Sequence, residues 1–206
     1  MEIIKFTNPH RKKHFEFFNS MNHPHFNLCG NVEITGFIDK IKQEKISFTP
    51  AMAWVLSKAA NDIPEFRQRI RGEKVVQHES VHPSFSVETE VADVFSFCEV
   101  KYSEEQTDFL ARAKTIMAAM RKNPSMEDDH ERDDYLFMSS IPWVSFTSMQ
   151  HAMSYHPCDS VPRIVWGKYF RDGDKIMMPL SVQVHHAVVD GRHVGRYFER
   201  VNELCK

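Results

Sequence analysis

Near the end of the chain stands His185-His186-Ala187-Val188-Val189-Asp190-Gly191, set between an apolar run and an amphipathic segment. A histidine at the end of a strand can sit neutral in a dry site and take up a proton near pH 7, as a general base must. Asp190 and Gly191 supply a tight turn and an acceptor for the first N–H groups of a following helix. The combination points to acyl transfer from a thioester. A lone histidine beside apolar residues would otherwise be a core group bonded to a carbonyl, and the Asp-Gly context is what argues against that reading.

The elements that must carry these residues can be read outward from them. Ile176 to Val184 reads as a strand: Ile176, Met178, Leu180, Val182, Val184 and His186 share one parity, while Ser181, Gln183 and His185 share the more polar one. Parity therefore places His186 on the apolar face and makes it the better base. Arg171-Asp172-Gly173-Asp174 reads as a hairpin turn joining this strand to one over Arg163 to Phe170. A helix starting near Arg192 puts Val194, Phe198, Val201 and Leu204 on its inner side. Upstream, His10 to Phe18 reads as a short basic-aromatic helix and Asn31 to Ile38 as a strand. Thr49-Pro50 reads as a helix start continued by Ala51 to Ala60. Lys74 to Val100 holds short β-type runs broken by Pro83, and Asp108 to Lys122 reads as a helix with Phe109, Ala113, Ile116 and Met120 near one face. Glu127 to Asp134 reads as an exposed acidic loop, and Trp143 to Met149 as a strand. Strands and helices intermingle throughout, which implies an α/β fold: a two-layer sandwich with a mixed sheet and helices mainly on one face. Residues 1–206 suffice for one domain with a full core.

Composition narrows the function further. Hydrophobic residues make up 42% of the chain, with 16 Phe, as in a packed globular protein. A net charge of −2, with Lys and Arg scattered, carries no nucleic-acid footprint. No apolar run approaches membrane-spanning length, and Met1-Glu2-Ile3-Ile4-Lys5 lacks a signal-peptide core. Cys29, Cys98, Cys158 and Cys205 form no CxxC pair and read as reduced thiols. The compartment expected is the cytoplasm.

With HHAVVDG preceded by MPLSVQV and followed by RHVGRYFERVNELC, the chain resembles the chloramphenicol acetyltransferases, members of the HHxxxDG acyltransferase superfamily. Arg11 to Phe17 looks like the family's N-terminal arginine segment, and Ser139 to Phe146 like its serine–proline–tryptophan strand. Gly167-Lys168-Tyr169 and Gly173-Asp174-Lys175 fall at the expected separations, so the resemblance runs from about residue 5 to the C-terminus. It implies a homotrimer with active sites between subunits, no permanently bound cofactor, and acetyl-CoA as co-substrate for a small hydroxyl acceptor. By resemblance His186 is the base, and Ser139 donates its hydroxyl to the tetrahedral oxyanion. Asp190 is structural and pairs with Arg11 to orient the loop holding the base, while His185 packs beside the site. Trp143, Lys168 and Tyr169 match positions near coenzyme A. Alone, Ser139 would be an ordinary strand-end serine, Arg11 a solvated charge, and Trp143 and Tyr169 core aromatics.

The acceptor pocket departs from the family pattern. Phe17, Phe18, Phe26 and Phe95 keep an aromatic wall, but Met149, His151 and Met153 replace an apolar, asparagine-containing run, and Val165 stands where a threonine hydroxyl commonly lies. His151 matches the family's pocket leucine, and Asn22 and His25 fall in the segment that lines the drug. Chloramphenicol is the acceptor the family implies, with another hydroxylated molecule as the alternative. The HxH spacing of His23-Pro24-His25 and the Hx4H spacing of His151 and His156 are weak ligand patterns on their own, so no metal is expected. Two other readings are a dihydrolipoyl-type acyltransferase core, against which stands the lack of a lipoyl domain or Ala/Pro-rich linker, and a non-catalytic trimer that binds a small molecule.

Overall fold

The computed structural model describes every residue except Asp128 and His130. In chain order the elements are β1 (Glu2–Ile4), α1 (Pro9–Asn19), β2 (His25–Glu33), α2 (Thr35–Gln43) and α3 (Phe48–Asn61), then a 3-10 turn (Pro64–Arg67), β3 (Gln68–Arg71), β4 (Lys74–Gln77), β5 (His82–Glu88) and β6 (Phe95–Glu99). There follow α4 (Gln106–Lys122), β7 (Tyr135–Ile141), β8 (Arg163–Gly167), β9 (Phe170–Asp172), β10 (Lys175–His185) and α5 (Gly191–Leu204). Seven strands form the main sheet in the order β2-β10-β8-β7-β5-β6, with β9 also paired to β10; β1, β4 and β3 form a second, small sheet. The main sheet is mixed: β7 runs parallel to β5 and β8, and the remaining pairs are antiparallel. The fold is α/β, with a helical layer on one sheet face. Inward-facing Ile164, Trp166, Met178, Leu180, Val182 and Val184 meet Phe37, Leu56, Phe109, Val194 and Tyr197 from the helices in one core.

Local chemistry explains the elements that matter for the site. Asn8 starts α1, its Oδ1 accepting from the N–H groups of His10 and Arg11 with Pro9 in the first turn. Gly173 at φ +59° makes the turn that pairs Asp172 with Lys175. At Gly167 a Cβ would lie 2.9 Å from Val144 O and from the Phe146 ring, so this glycine lets the chain after β7 lie flat on β8. No helix among the described residues is long and apolar enough to cross a membrane.

Several boundaries differ from expectation. The strand read over Asn31 to Ile38 is β2 at His25–Glu33, after which Thr35 opens a helix. Val32, Ile34 and Ile38 are all buried, so the apolar spacing is real but spans two elements. Trp143 to Met149 is no strand; the strand is Tyr135–Ile141, and Pro142 ends the ladder because it lacks an N–H. Arg163 to Phe170 is two strands, interrupted at Lys168-Tyr169. Pro83 does not break a strand but sits at the second residue of β5, opposite Leu136, where its carbonyl accepts from Val100. The helix after Lys45 starts at Phe48 rather than Thr49, and the last helix turns Tyr197 as well as Val194 inward. In the acidic loop, Asp133 is half-buried and accepts from Arg71 and His78, so it is not a freely solvated charge. Asp128 lies outside the described residues.

Candidate active site

His186 follows directly on β10. Its ring stacks on Phe18 from α1 at 3.9 Å and 15°, with Phe26 from β2 at 4.6 Å on a tilted plane. Its backbone N–H donates to Pro24 O at 2.9 Å. Arg11, reaching across from α1, donates to Ala187 O at 2.7 Å and Val188 O at 3.0 Å, tying down the loop just past His186. The guanidinium also covers the Phe6 ring at 4.3 Å. The expected Arg11–Asp190 ion pair is not what holds this loop: Arg11 is bound to two carbonyls and to His14 Nδ1 at 3.0 Å.

Asp190 caps α5. Its Oδ1 accepts from Arg192 N–H at 3.1 Å, while its own N–H donates to His193 Nδ1 at 2.9 Å. The Arg192 bond, with the nearby His186, His14 and His193, holds its carboxyl below the ordinary carboxylate range. The other oxygen, Oδ2, lies 3.6 Å from His14 Nε2 and 4.0 Å from His186 Nδ1. His186 Nδ1 is buried and lacks a hydrogen-bond partner among the described residues.

Parity put His185 on the more polar face, yet it is the more deeply buried of the two histidines, only 4% exposed. The sheet's second face is covered too, by the segment after β7. Met149 O lies 2.9 Å from Ser181 Oγ, His151 N–H donates to Gln183 Oε1, and Gln183 Nε2 reaches Met153 Sδ at 3.1 Å. Asp159 makes a two-bond pair with Arg163 at 2.9 and 2.7 Å. Beneath this cover His185 meets His25 at 5.0 Å and accepts from Ala187 N–H through Nδ1. Its Nε2 therefore carries the proton of the neutral ring, so the sealed ring has no free lone pair to act as base. Burial pushes His185 down to about 4 and His25, with His185 adding to the effect, down to about 3.

The remaining residues separate into two groups. Ser139, Phe95, Trp143, Met149 and His151 line a cleft of about 650 Å³; Lys168 and Tyr169 line an adjoining one of about 330 Å³, and both clefts touch Ser140 and Pro142. Phe18 and Phe26 instead lie on His186, Phe17 is exposed, and Met153 sits on Gln183. Val165, expected on the acceptor wall, is fully buried, because the segment carrying Met149 and His151 lies over its side of the sheet. Ser139 faces Val165 on β8, which faces Ser181 on β10, and His186 is five residues beyond Ser181. At ~3.3 Å per residue and ~4.8 Å per strand, Ser139 and His186 of one chain are about 19 Å apart.

Sequence spacing did not single out His14, whose only signal is its place one helical turn after Arg11. His14, His186 and Asp190 have donor atoms within 4.8 Å of one another, a set that would suit a metal ion. The surroundings do not fit one. The Arg11 N–H takes the lone pair of His14 Nδ1, which leaves the proton of the neutral ring on Nε2, and a guanidinium beside the cluster opposes a second cation.

The model of the chloramphenicol acetyltransferase family matches residues 1–204. A chloramphenicol acetyltransferase from Klebsiella sp. is 35% identical over 95% of this chain and 90% of its own length. A solved chloramphenicol acetyltransferase structure superposes with a TM-score of 0.87 at 24% identity, covering 100% of this chain and 99% of the other. A probable dihydrolipoamide acetyltransferase from Listeria monocytogenes shares the fold at a TM-score of 0.67 and 17% identity, over 98% and 93% of the two chains.

Proposed function

The chain belongs to the chloramphenicol acetyltransferase family, and we propose that it moves an acetyl group from acetyl-CoA to a hydroxyl of chloramphenicol or a similar small acceptor. His186 Nε2 takes the acceptor's hydroxyl proton, and the oxygen attacks the thioester carbonyl. The new C–O bond forms, a tetrahedral oxyanion collapses, the C–S bond breaks, and the proton passes from His186 to the departing thiolate. Ser139 donates its hydroxyl to the oxyanion; such a donor is worth ~3 kcal/mol in the barrier. Trp143 and Tyr169 offer exposed rings and Lys168 a cation beside the Ser140–Pro142 stretch, groups suited to the base and phosphates of coenzyme A.

The observation that carries this reading is the setting of His186. Its ring stacks on Phe18 and packs against Phe26, and the loop behind it is pinned by Arg11, while His185 has no lone pair to offer. With the two residues about 19 Å apart in one chain, we infer that Ser139 comes from a second copy of the chain. We assign the site to the junction of two subunits in a homotrimer, with His186, Phe18 and Phe26 from one and the Ser139 cleft from the next.

Mixed assembly tests both halves of the proposal. His186→Ala and Ser139→Ala should each be nearly inactive alone. Unfolded together in equal amounts and refolded, they should regain activity at about one quarter of the sites, since each site draws the two residues from different copies. Absence of regain, with both variants folded, would place the two residues in one chain's site or in none. Retention of activity by His186→Ala would remove it as the base.

A further inference from the structure

We propose that His14 is a positioning residue for the base: anchored by Arg11, it steers the free oxygen of Asp190 toward Nδ1 of His186. This rests on the reading of His186 as general base.

The three contacts form an ordered series. Arg11 has only donors, so the 3.0 Å contact to His14 Nδ1 makes that nitrogen the acceptor and turns the Nε2–H toward Asp190. The Asp190 side chain caps α5 by accepting from the Arg192 N–H through Oδ1 and from the His193 N–H, and its Oδ2 stands 3.6 Å from His14 and 4.0 Å from His186. These are long contacts of the kind that tighten when a charged intermediate forms. His186 Nδ1, buried and without a partner, is the atom that needs them. Once Nε2 has taken the acceptor's proton, the ring is a cation with an N–H at Nδ1, and a carboxylate held at that point stabilises it. The groups facing His14 are Arg11 on its own helix and His186 and Asp190 from the loop before α5; burial, then Arg11, then His186 favour the neutral ring, and Asp190 opposes them. The ring also packs against Phe18 at 4.8 Å and edge-on to His186 at 5.4 Å, so its place is set by packing as well as charge.

Two amides separate positioning from packing. The oxygen of His14→Asn can still accept from Arg11, but nothing then reaches Asp190; His14→Gln spans the ring and can serve both partners. The Asn variant should lose kcat by about ten- to a hundredfold, the range found when a metal-ligating histidine loses the partner that orients it, with KM for both substrates little changed. The Gln variant should recover most of the loss. In 1H–15N spectra the His186 ring nitrogens should shift in the Asn variant and return toward the parent position in the Gln variant. If His14→Asn does not fold, His14→Leu takes its place, with the same outcomes expected. Parent-like kcat in the loss variant, or equal losses in the Asn and Gln variants with unmoved His186 signals, would overturn the inference while leaving the base in place. An active His186→Ala variant would instead overturn the reading beneath it.

Discussion

In the proposed reading His151 is the side chain that bears most on the acceptor. It lines the Ser139 cleft with Nε2 buried and without a partner among the described residues, and burial, with Arg163 nearby, pushes it down to about 4. A buried, unpaired ring nitrogen costs about 1–3 kcal/mol unless a ligand group satisfies it. Chloramphenicol should therefore bind less tightly here than to the family members that carry a leucine at this position. His151→Leu should lower the KM for chloramphenicol by about tenfold, equivalent to ~1.4 kcal/mol, while the KM for acetyl-CoA stays near the parent value. Steady-state kinetics with each substrate varied in turn would check this, and an unchanged KM would show that the drug does not meet this residue. The backbone bond from His151 to Gln183 survives the change, so the segment should keep its place.

Elements were legible where their signals are local. The strand, turn and helix around His186 could be read because β10 alternates, Gly173 makes its turn, and Asp190 both ends the loop and caps α5. The strand holding Ser139 is hard to read because Tyr135-Leu136-Phe137-Met138 is an unbroken apolar run followed by two serines and gives no period of two, whereas the exposed run after Pro142 carries the aromatic and β-branched residues a strand favours. The most distant contacts left no local trace: the cover laid over β10 by residues 149–160, and the reach of Arg11 to Ala187 and Val188. That cover has a consequence for stability. His25, His151 and His185 are kept neutral by burial, down to about 3, 4 and 4, against an unfolded value of ~6.5. Because their folded values are lowered, their contribution is fully present above pH 6.5 and is lost as pH falls toward 4. At pH 5 each should cost about 2 kcal/mol relative to neutrality, treated as independent. Thermal melts between pH 7 and 5 should show Tm falling, and His151→Leu should flatten that fall by its share.

At the scale of the whole molecule, residues 1–206 form one acyltransferase domain in the proposed reading, and a single copy carries two half-sites rather than one site. One half is the His186 loop, the other the Ser139 cleft, about 19 Å apart across β10, β8 and β7. Edge strand β2, which among the described residues pairs with β10 alone, and exposed Phe17, Leu28, Trp143 and Val144 give the monomer unsatisfied surface of the kind subunits bury. Sedimentation at assay concentration should find a trimer, and activity should fall with dilution below its assembly constant. A monomer that kept full activity would refute the shared site.

Asp190 joins two events usually thought separate. One of its oxygens starts the last helix, and the other stands beside the base. In the proposed reading, helix initiation and catalytic alignment hang on one carboxylate. Fraying of α5, although Val194, Tyr197 and Val201 bind it to the core, would let the base drift while the seven-stranded sheet stood intact. Loss of activity would then mark the unwinding of one helical turn, long before the fold itself came apart.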